Sequence, residues 1–271
     1  MGQRDVWKLT LFVYLAVTNP SYGQQSNAPG SALPSFNALE VVHFEEMKYP
    51  AIAQYAPNES RGPVVLKVTI DEQGKVAQAF TMSGNPLLTP EALANIKKWQ
   101  FSAAKANTGV IVYNFRRTLA ECGSLNSLFI FEPPNLVTVS ACIEATQDSI
   151  EPLGGWHGYY GQVIHSDLDI KYPPLARTAR IQGLVVVQAE VDAKGKVVKA
   201  NALTGHPLLS RACVENTKKW VFDPELVESP VVVYNFRLGD TEQTELMFEP
   251  PNFITITSAA VVIDTENSTS H

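Results

Sequence analysis

The stretch Val112-Tyr113-Asn114-Phe115-Arg116 returns without change as Val233-Tyr234-Asn235-Phe236-Arg237. A second motif, Phe-Glu-Pro-Pro-Asn, occupies 131–135 and again 248–252. The offset between the copies is 121 residues for the first motif and 117 for the second, so the copies differ by small insertions. A period of this length is too long for a solenoid repeat, and the sequence therefore predicts two complete, related domains.

Both copies carry the same succession of local elements. β-branched runs alternate with turns such as Asp71–Lys75, where Gly74 suits a positive φ. The predicted strands are 64–70, 76–82 and 110–116 in copy one and 185–191, 197–203 and 231–237 in copy two. Between the second and third strands lies a helix, with Thr89 as its N-cap and Pro90 as its first residue in copy one. Each copy is thus predicted to be a small α+β unit, a helix packed on an antiparallel sheet.

These motifs also carry a family resemblance. Copy two contains Tyr172–Arg177, then Gly183, Asp192 and Gly195, followed by 205–209 and 219–224. In order and spacing, these residues resemble the C-terminal domain of the TonB energy-transducer family. Copy one matches more loosely; it keeps Tyr49-Pro50, Gly62, Asp71, Gly74, Gly84, Pro86, Trp99 and Phe101.

The resemblance implies a periplasmic protein-binding module with two tandem domains. In that family an extended peptide of an outer-membrane transporter is added as a strand to the edge of the third strand. The residues that match this edge are Val110, Val112 and Asn114 in copy one and Val231, Val233 and Asn235 in copy two. The segment around Tyr-Pro also lies near the ligand in family members, which adds Lys48, Tyr49, Lys171 and Tyr172 as candidate peptide-binding residues.

Three features depart from a complete transducer. The N-terminal apolar run is too short to span a membrane, and no long proline-rich spacer follows it. Each copy also continues beyond the third strand, with 128–131 and 136–139 on either side of Pro133-Pro134. We expect the first of these pieces to lie beside the third strand, and Pro-Pro to mark a sheet edge because proline cannot donate to a ladder. The hypothesis that follows is that binding uses another surface or another partner.

The N-terminus predicts export. Arg4 and Lys8 precede the apolar run 9–17, and small residues precede a cleavage point near Gly23. The alternative is an uncleaved membrane anchor. With cleavage, the chain divides into a signal peptide (1–23), a flexible lead-in (24–37), domain one (38–142), a linker (143–162), domain two (163–262) and a tail (263–271). The mature protein would then be periplasmic or secreted.

Composition and motifs argue against several classes of function. A net charge of -6 does not favour nucleic-acid binding, and a hydrophobic fraction of 45% argues against a wholly disordered chain. Five histidines and three cysteines offer little for a metal site, and the motifs of common hydrolases and nucleotide-binding enzymes are missing. The sequence therefore predicts no enzyme, no catalytic residue, no metal, no cofactor and no small-molecule substrate.

The remaining candidates have structural interpretations. Trp99 and Trp220 share the apolar helix face and are predicted to be core residues, and Cys213 a buried free thiol. Cys122 and Cys142 could form a disulfide if their Cα atoms lie within about 7 Å. The segment 154–161, rich in glycine and aromatic residues, is either a docked linker or a surface that stacks on cell-wall sugars.

Two functions therefore compete. The first is a binding module for an outer-membrane transporter or another envelope protein. The alternative is a structural or peptidoglycan-associated protein of the cell envelope.

Overall fold

The computed structural model describes residues 39–54, 61–103, 107–118, 127–142 and 162–260. All of them belong to one compact unit. The predicted signal peptide and lead-in, Cys122, the side chain of Cys142, the segment 154–161 and the tail lie outside the described residues. The disulfide and the domain boundaries therefore stay predictions.

The two copies repeat one order of elements. In copy one these are β1 (Val41–His43), α1 (Ala51–Gln54), β2 (Gly62–Ile70), β3 (Val76–Ser83), α2 (Thr89–Ile96), β4 (Gln100–Phe101), β5 (Thr108–Thr118), β6 (Ser127–Glu132) and β7 (Leu136–Cys142). In copy two they are β8 (Val163–His165), α3 (Pro174–Thr178), β9 (Gly183–Val191), β10 (Val197–Thr204), α4 (Pro207–Thr217), β11 (Val221–Phe222), β12 (Val231–Gly239), β13 (Glu245–Glu249) and β14 (Phe253–Ala259).

Each copy has a five-stranded sheet with a helix on one face. The strand order is β3-β2-β5-β7-β6 in copy one and β10-β9-β12-β14-β13 in copy two. The predicted α+β class, with two tandem domains and extra C-terminal strands in each, is confirmed. Since β5 pairs parallel with β7, and β12 with β14, the extra strands make each sheet mixed.

The turns and helix starts follow from local chemistry. Gly74 and Gly195 have φ of +75° and +76°, and a Cβ on either would collide with the carbonyl oxygen of Phe101 or Phe222. The N-cap prediction at Thr89 is wrong by one residue, because Leu88 is the cap and the Thr89 hydroxyl donates to the Asn85 carbonyl oxygen.

The extra segment pairs in a different order from the one predicted. The second piece, β7, lies beside the third strand, and the first piece, β6, lies outside it. Leu136, Val137 and Val139 are buried, whereas β6 is only partly covered, so the more apolar strand takes the central position. Pro133 and Pro134 do not mark a sheet edge; they form the turn that joins the two strands.

The third strand of each copy is buried on both faces of its sheet. Because side chains alternate across a sheet, successive residues enter different apolar clusters. Ile111, Tyr113 and Phe115 of β5 enter the core of copy one, beneath Trp99. Val110 and Val112 point the other way, into a second apolar cluster shared with Leu184, Val186, Val231, Val233 and Phe253 of copy two. The sheets of the two copies therefore pack against each other through these opposite faces.

Candidate functional site

The edge that a family member offers to a peptide is closed in both copies. β5 pairs with β2 on one side and with β7 on the other, and β12 pairs with β9 and β14 in the same way. The candidate edge residues Val110, Val112, Asn114, Val231, Val233 and Asn235 are buried. Their assignment to a receiving edge is therefore corrected: two further strands of the same chain already cover that side.

The Phe-Glu-Pro-Pro-Asn motif fixes this closure. The backbone N–H of Val112 donates to the Asn135 carbonyl oxygen at 2.9 Å, and the Asn135 side chain donates to the Val110 carbonyl oxygen at 3.1 Å. Asn252 makes the equivalent contacts with Val233 and Val231. Both asparagines are buried. Through their hydrogen bonds, the repeated motif holds β7 and β14 against the third strand.

The Tyr-Pro segment lies at the start of the outer strand. Tyr49 and Tyr172 are buried core residues, while Lys48 and Lys171 are exposed. The backbone N–H of Tyr49 donates to the Ser127 hydroxyl at 2.9 Å, which places Lys48 next to the first residue of β6. In copy two the Tyr172 hydroxyl donates to the Ile181 carbonyl oxygen at 2.6 Å, and burial raises the pKa of Tyr172 to about 12.

A buried asparagine that the sequence reasoning missed ties this segment to the helix. Asn95 Oδ1 accepts from Trp99 Nε1 at 3.0 Å and from the Tyr113 hydroxyl at 2.8 Å, and Asn95 Nδ2 donates to the Glu45 carbonyl oxygen at 2.9 Å. The signal was present in the sequence, since an asparagine recurs at the same offset as the tryptophan.

Asn216 repeats this arrangement in copy two. It accepts from Trp220 and Tyr234 and donates to the Asp167 carbonyl oxygen at 3.0 Å. Burial raises the pKa of Tyr113 and Tyr234 well above the ordinary phenol value, as expected for hydroxyls that stay neutral donors.

The structural roles predicted for Trp99, Trp220 and Cys213 are confirmed. Trp99 and Trp220 are each 1% exposed, and Cys213 is a free buried thiol whose pKa is raised by burial. His206 caps α4, with its Nδ1 accepting from the Leu208 N–H at 3.2 Å. In the described part of the chain, no group of three or more His, Cys, Asp or Glu side chains is arranged to hold a metal ion.

The outermost strands offer the free edges. β6 and β13 end the two sheets on the side that the third strand would otherwise expose, within the described ranges. Ile130 is 51% exposed and Met247 44% exposed, and Leu246 is exposed as well. The opposite terminal strands, β3 and β10, carry exposed Phe80 and Val198.

Reciprocal ion pairs join the copies. Arg116 Nε lies 2.6 Å from Glu249 Oε1, and Arg237 pairs with Glu132. Each pair therefore joins the arginine of one Tyr-Asn-Phe-Arg motif to the glutamate of the other copy's Phe-Glu-Pro-Pro-Asn motif. The two copies contact each other in the manner of a two-fold dimer built from one chain.

A cavity of about 160 Å³ lies between the copies beside these pairs. Its lining consists of Asn114, Arg116, Ile130, Glu132, Leu136 and Thr138, each together with its repeat counterpart. Leu136 and Phe253 are buried, whereas Ile130 and Met247 are exposed, so the mouth opens at the outer strands.

Across the described ranges, no helix is both long enough and apolar enough to span a membrane. No curated protein and no solved structure matches the chain. Residues 45–116 and 169–237 each match the family model of the Gram-negative bacterial TonB protein C-terminal domain, which is associated with the bacterial envelope and with protein interaction. These two segments lie in the two copies and together cover just over half of the chain. The chain therefore belongs to the TonB C-terminal family, in two tandem copies.

Proposed function

We propose that this protein is an exported, non-catalytic module that binds an extended segment of another envelope protein, with an outer-membrane transporter as the first candidate. The family supports a protein-interaction role in the envelope. The basic and apolar residues 4–17 support export through a signal peptide, and hence a periplasmic location.

The mode of binding is strand addition at the outer strands β6 and β13. The observation that carries this proposal is the closure of the third strand by two further strands in both copies, which moves the terminal edge outward on the same side of the sheet. A terminal strand presents unpaired backbone donors and acceptors that an extended peptide can satisfy. Exposed Ile130 and Met247 add apolar contact area at these edges.

The Tyr-Pro segment supports the same edge. In family members this segment lies near the bound peptide. Here the Tyr49–Ser127 hydrogen bond places the neighbouring Lys48 at the start of β6. Exposed Lys48 could therefore contact a peptide on β6, and Lys171 is its counterpart in copy two.

Site-specific photocrosslinking in cells tests the proposal. A photoreactive phenylalanine analogue replaces Ile130 or Met247 on the outer strands, and Phe80 or Val198 on the opposite edge as matched controls. We expect Ile130 and Met247 to crosslink to one envelope protein through a single extended segment, and the control positions to give no such product.

Three results would count against this proposal. Equal crosslinking from Phe80 and Val198 would contradict the choice of edge. Crosslinks to peptidoglycan fragments alone would favour the structural alternative. Retention of the protein in the cytoplasmic fraction would contradict export.

A further inference from the structure

The inter-copy cavity carries buried polar groups that are not all satisfied. Asn114 is 2% exposed, and its Nδ2 donates to Glu249 Oε2 at 3.1 Å. Because an ionised carboxylate only accepts, the amide atom of Asn114 that faces Glu249 is the donor Nδ2, and the atom on the other side of the amide is the acceptor Oδ1. Asn114 Oδ1 has no hydrogen-bond partner among the described residues. A residue of the lining therefore carries a buried acceptor that lacks a donor.

The charges around the cavity favour an uncharged occupant. Two arginines and two glutamates line it, and they are already paired across the copies. A charged group would have to compete for one member of a pair and leave the other partly buried without a partner, which is unfavourable. An apolar group would remove water from the amides and from the hydroxyls of Thr138 and Thr255 without replacing its hydrogen bonds.

The size of the cavity limits the occupant to one side chain. A volume of about 160 Å³ is close to that of engineered cavities, about 150 Å³, that hold a single benzene molecule. It lies well below the volume of roughly 300 Å³ or more that is usual for larger ligands.

We propose that this cavity is the specificity pocket for the bound segment and takes one carboxamide side chain, asparagine or glutamine. The inference rests on the strand addition proposed above, because alternate side chains of a peptide on β6 or β13 lie on the same face as Ile130 and Met247, at the mouth. A carboxamide donates to Asn114 Oδ1 and accepts from a threonine hydroxyl, and it leaves both ion pairs intact.

Fragment titration tests the pocket without any peptide. Propionamide, propionate and propylammonium are added to the ¹⁵N-labelled full chain at equal ionic strength, and the side-chain amide resonances of Asn114 and Asn235 are followed. We expect propionamide to shift both resonances to saturation and to bind at least about tenfold more tightly than either ion. An absent or unselective response would mean that the cavity holds water only, and would overturn the proposal.

Shape-preserving variants test the assigned hydroxyls. In the double variant Thr138→Val/Thr255→Val we expect propionamide to bind about tenfold more weakly, as for the loss of one hydrogen bond. Thr81→Val, on the exposed strand β3, is the matched control and should bind as the original chain does. The indole resonances of Trp99 and Trp220 report folding in the same spectra, and the single replacements are compared if the double variant unfolds. Unchanged binding in folded variants would overturn the assignment.

The two proposals fail separately. Crosslinks from Ile130 or Met247 without amide-selective binding would remove the pocket and leave strand addition in place. Amide-selective binding without those crosslinks would remove strand addition, and with it the assignment of the pocket to a bound segment.

Discussion

The two copies hold the segment before Tyr-Pro in different ways. In copy one, Phe44 packs its ring against Trp99, Phe129 and Phe131, with ring centroids 5.8, 5.8 and 5.0 Å away. In copy two Ser166 occupies the position of Phe44, and the neighbouring Asp167 accepts from Lys219 Nζ at 3.0 Å and from the Asp169 N–H at 2.7 Å. One segment is held by aromatic packing and the other by charge.

What the copies share is the buried asparagine beneath each segment. Asn95 and Asn216 bond the helix, the third strand and the segment in the same way, so this connection belongs to the fold itself. The contacts above it differ, and the segment of copy two depends on charges that acid and salt weaken. The two candidate edges, β6 and β13, therefore differ in how the nearby segment is held, although the strand orders of the two sheets are equivalent.

Removing the shared asparagine should have the largest effect. Asn95→Ala leaves the Trp99 and Tyr113 donors buried without an acceptor, and we expect it to lower the free energy of unfolding by about 3–4 kcal/mol. Asn216→Ala should lower it by about 1 kcal/mol less, because Tyr234 keeps a second hydrogen bond, to Thr217 at 2.8 Å. Urea unfolding of the full chain measures both values.

Asn107→Ala is the control for these variants. Asn107 is exposed, and its backbone carbonyl oxygen, not its side chain, accepts from the Ile70 N–H. We expect a change within about 0.5 kcal/mol. Equal losses for Asn95→Ala and Asn216→Ala would show that the Thr217 contact does not compensate.

Removing the aromatic contact should distinguish the copies. Phe44 is only partly buried, so we expect Phe44→Ala to lower the free energy of unfolding by about 2 kcal/mol, below the range for a fully buried ring. Ser166→Ala, at the same position in copy two, should change it by less than about 0.5 kcal/mol. Urea unfolding and hydrogen exchange of residues 41–49 measure the effect, and a similar loss for both variants would contradict the comparison.

Sequence reasoning reached the elements that depend on local patterns. Repeated strand runs, the glycine turns and the existence of the two longer helices follow from residue spacing alone. The placement of Trp99 and Trp220 on the helix faces is wrong, because α2 ends at Ile96 and α4 at Thr217, three residues before each tryptophan. The parallel pairing of β7 with β5 could not be predicted in this way, because it depends on the long-range hydrogen bonds that Asn135 makes with Val110 and Val112. Pairing of this kind is not visible in local periodicity.

The sequence also contains an indication that the third strand is covered on its second face. Val231-Val232-Val233 is a continuous apolar run, and such runs are typical of strands that are buried on both faces. It predicts a second covered face but not what covers it. The cavity could not be predicted from the sequence, because residues from both copies form it only once the sheets are packed together.

The reciprocal ion pairs allow the contact between the copies to be measured. Arg116→Glu or Glu249→Arg places like charges together, and each should lower the free energy of unfolding by about 1 kcal/mol, a small value because these side chains are partly exposed. The double variant should recover most of that loss, since it restores an opposite pair. The same cycle at Arg237 and Glu132 is the internal comparison. Additive losses in both cycles would contradict a direct interaction across the copies.

The charged contact in copy two predicts the smallest effect, and one that depends on pH. Burial opposes ionisation of Asp167, but the Asp169 N–H and Lys219 outweigh it and lower the pKa of the carboxyl. A carboxyl whose pKa is lower in the folded than in the unfolded state stabilises the fold above the unfolded value, and this contribution is lost as the pH falls through the folded pKa.

We therefore expect the Asp169 amide resonance to titrate with a midpoint below the ordinary aspartate value of about 3.9. Lys219→Met should raise that midpoint, because it removes the favourable charge next to the carboxylate. Lys218→Met, which breaks only the pair with Glu215 on the surface of α4, is the matched control and should leave the midpoint unchanged. The stabilisation at stake is below about 1 kcal/mol, as for other pairs near the surface. A midpoint at or above the ordinary value would mean that copy two does not hold its segment by charge.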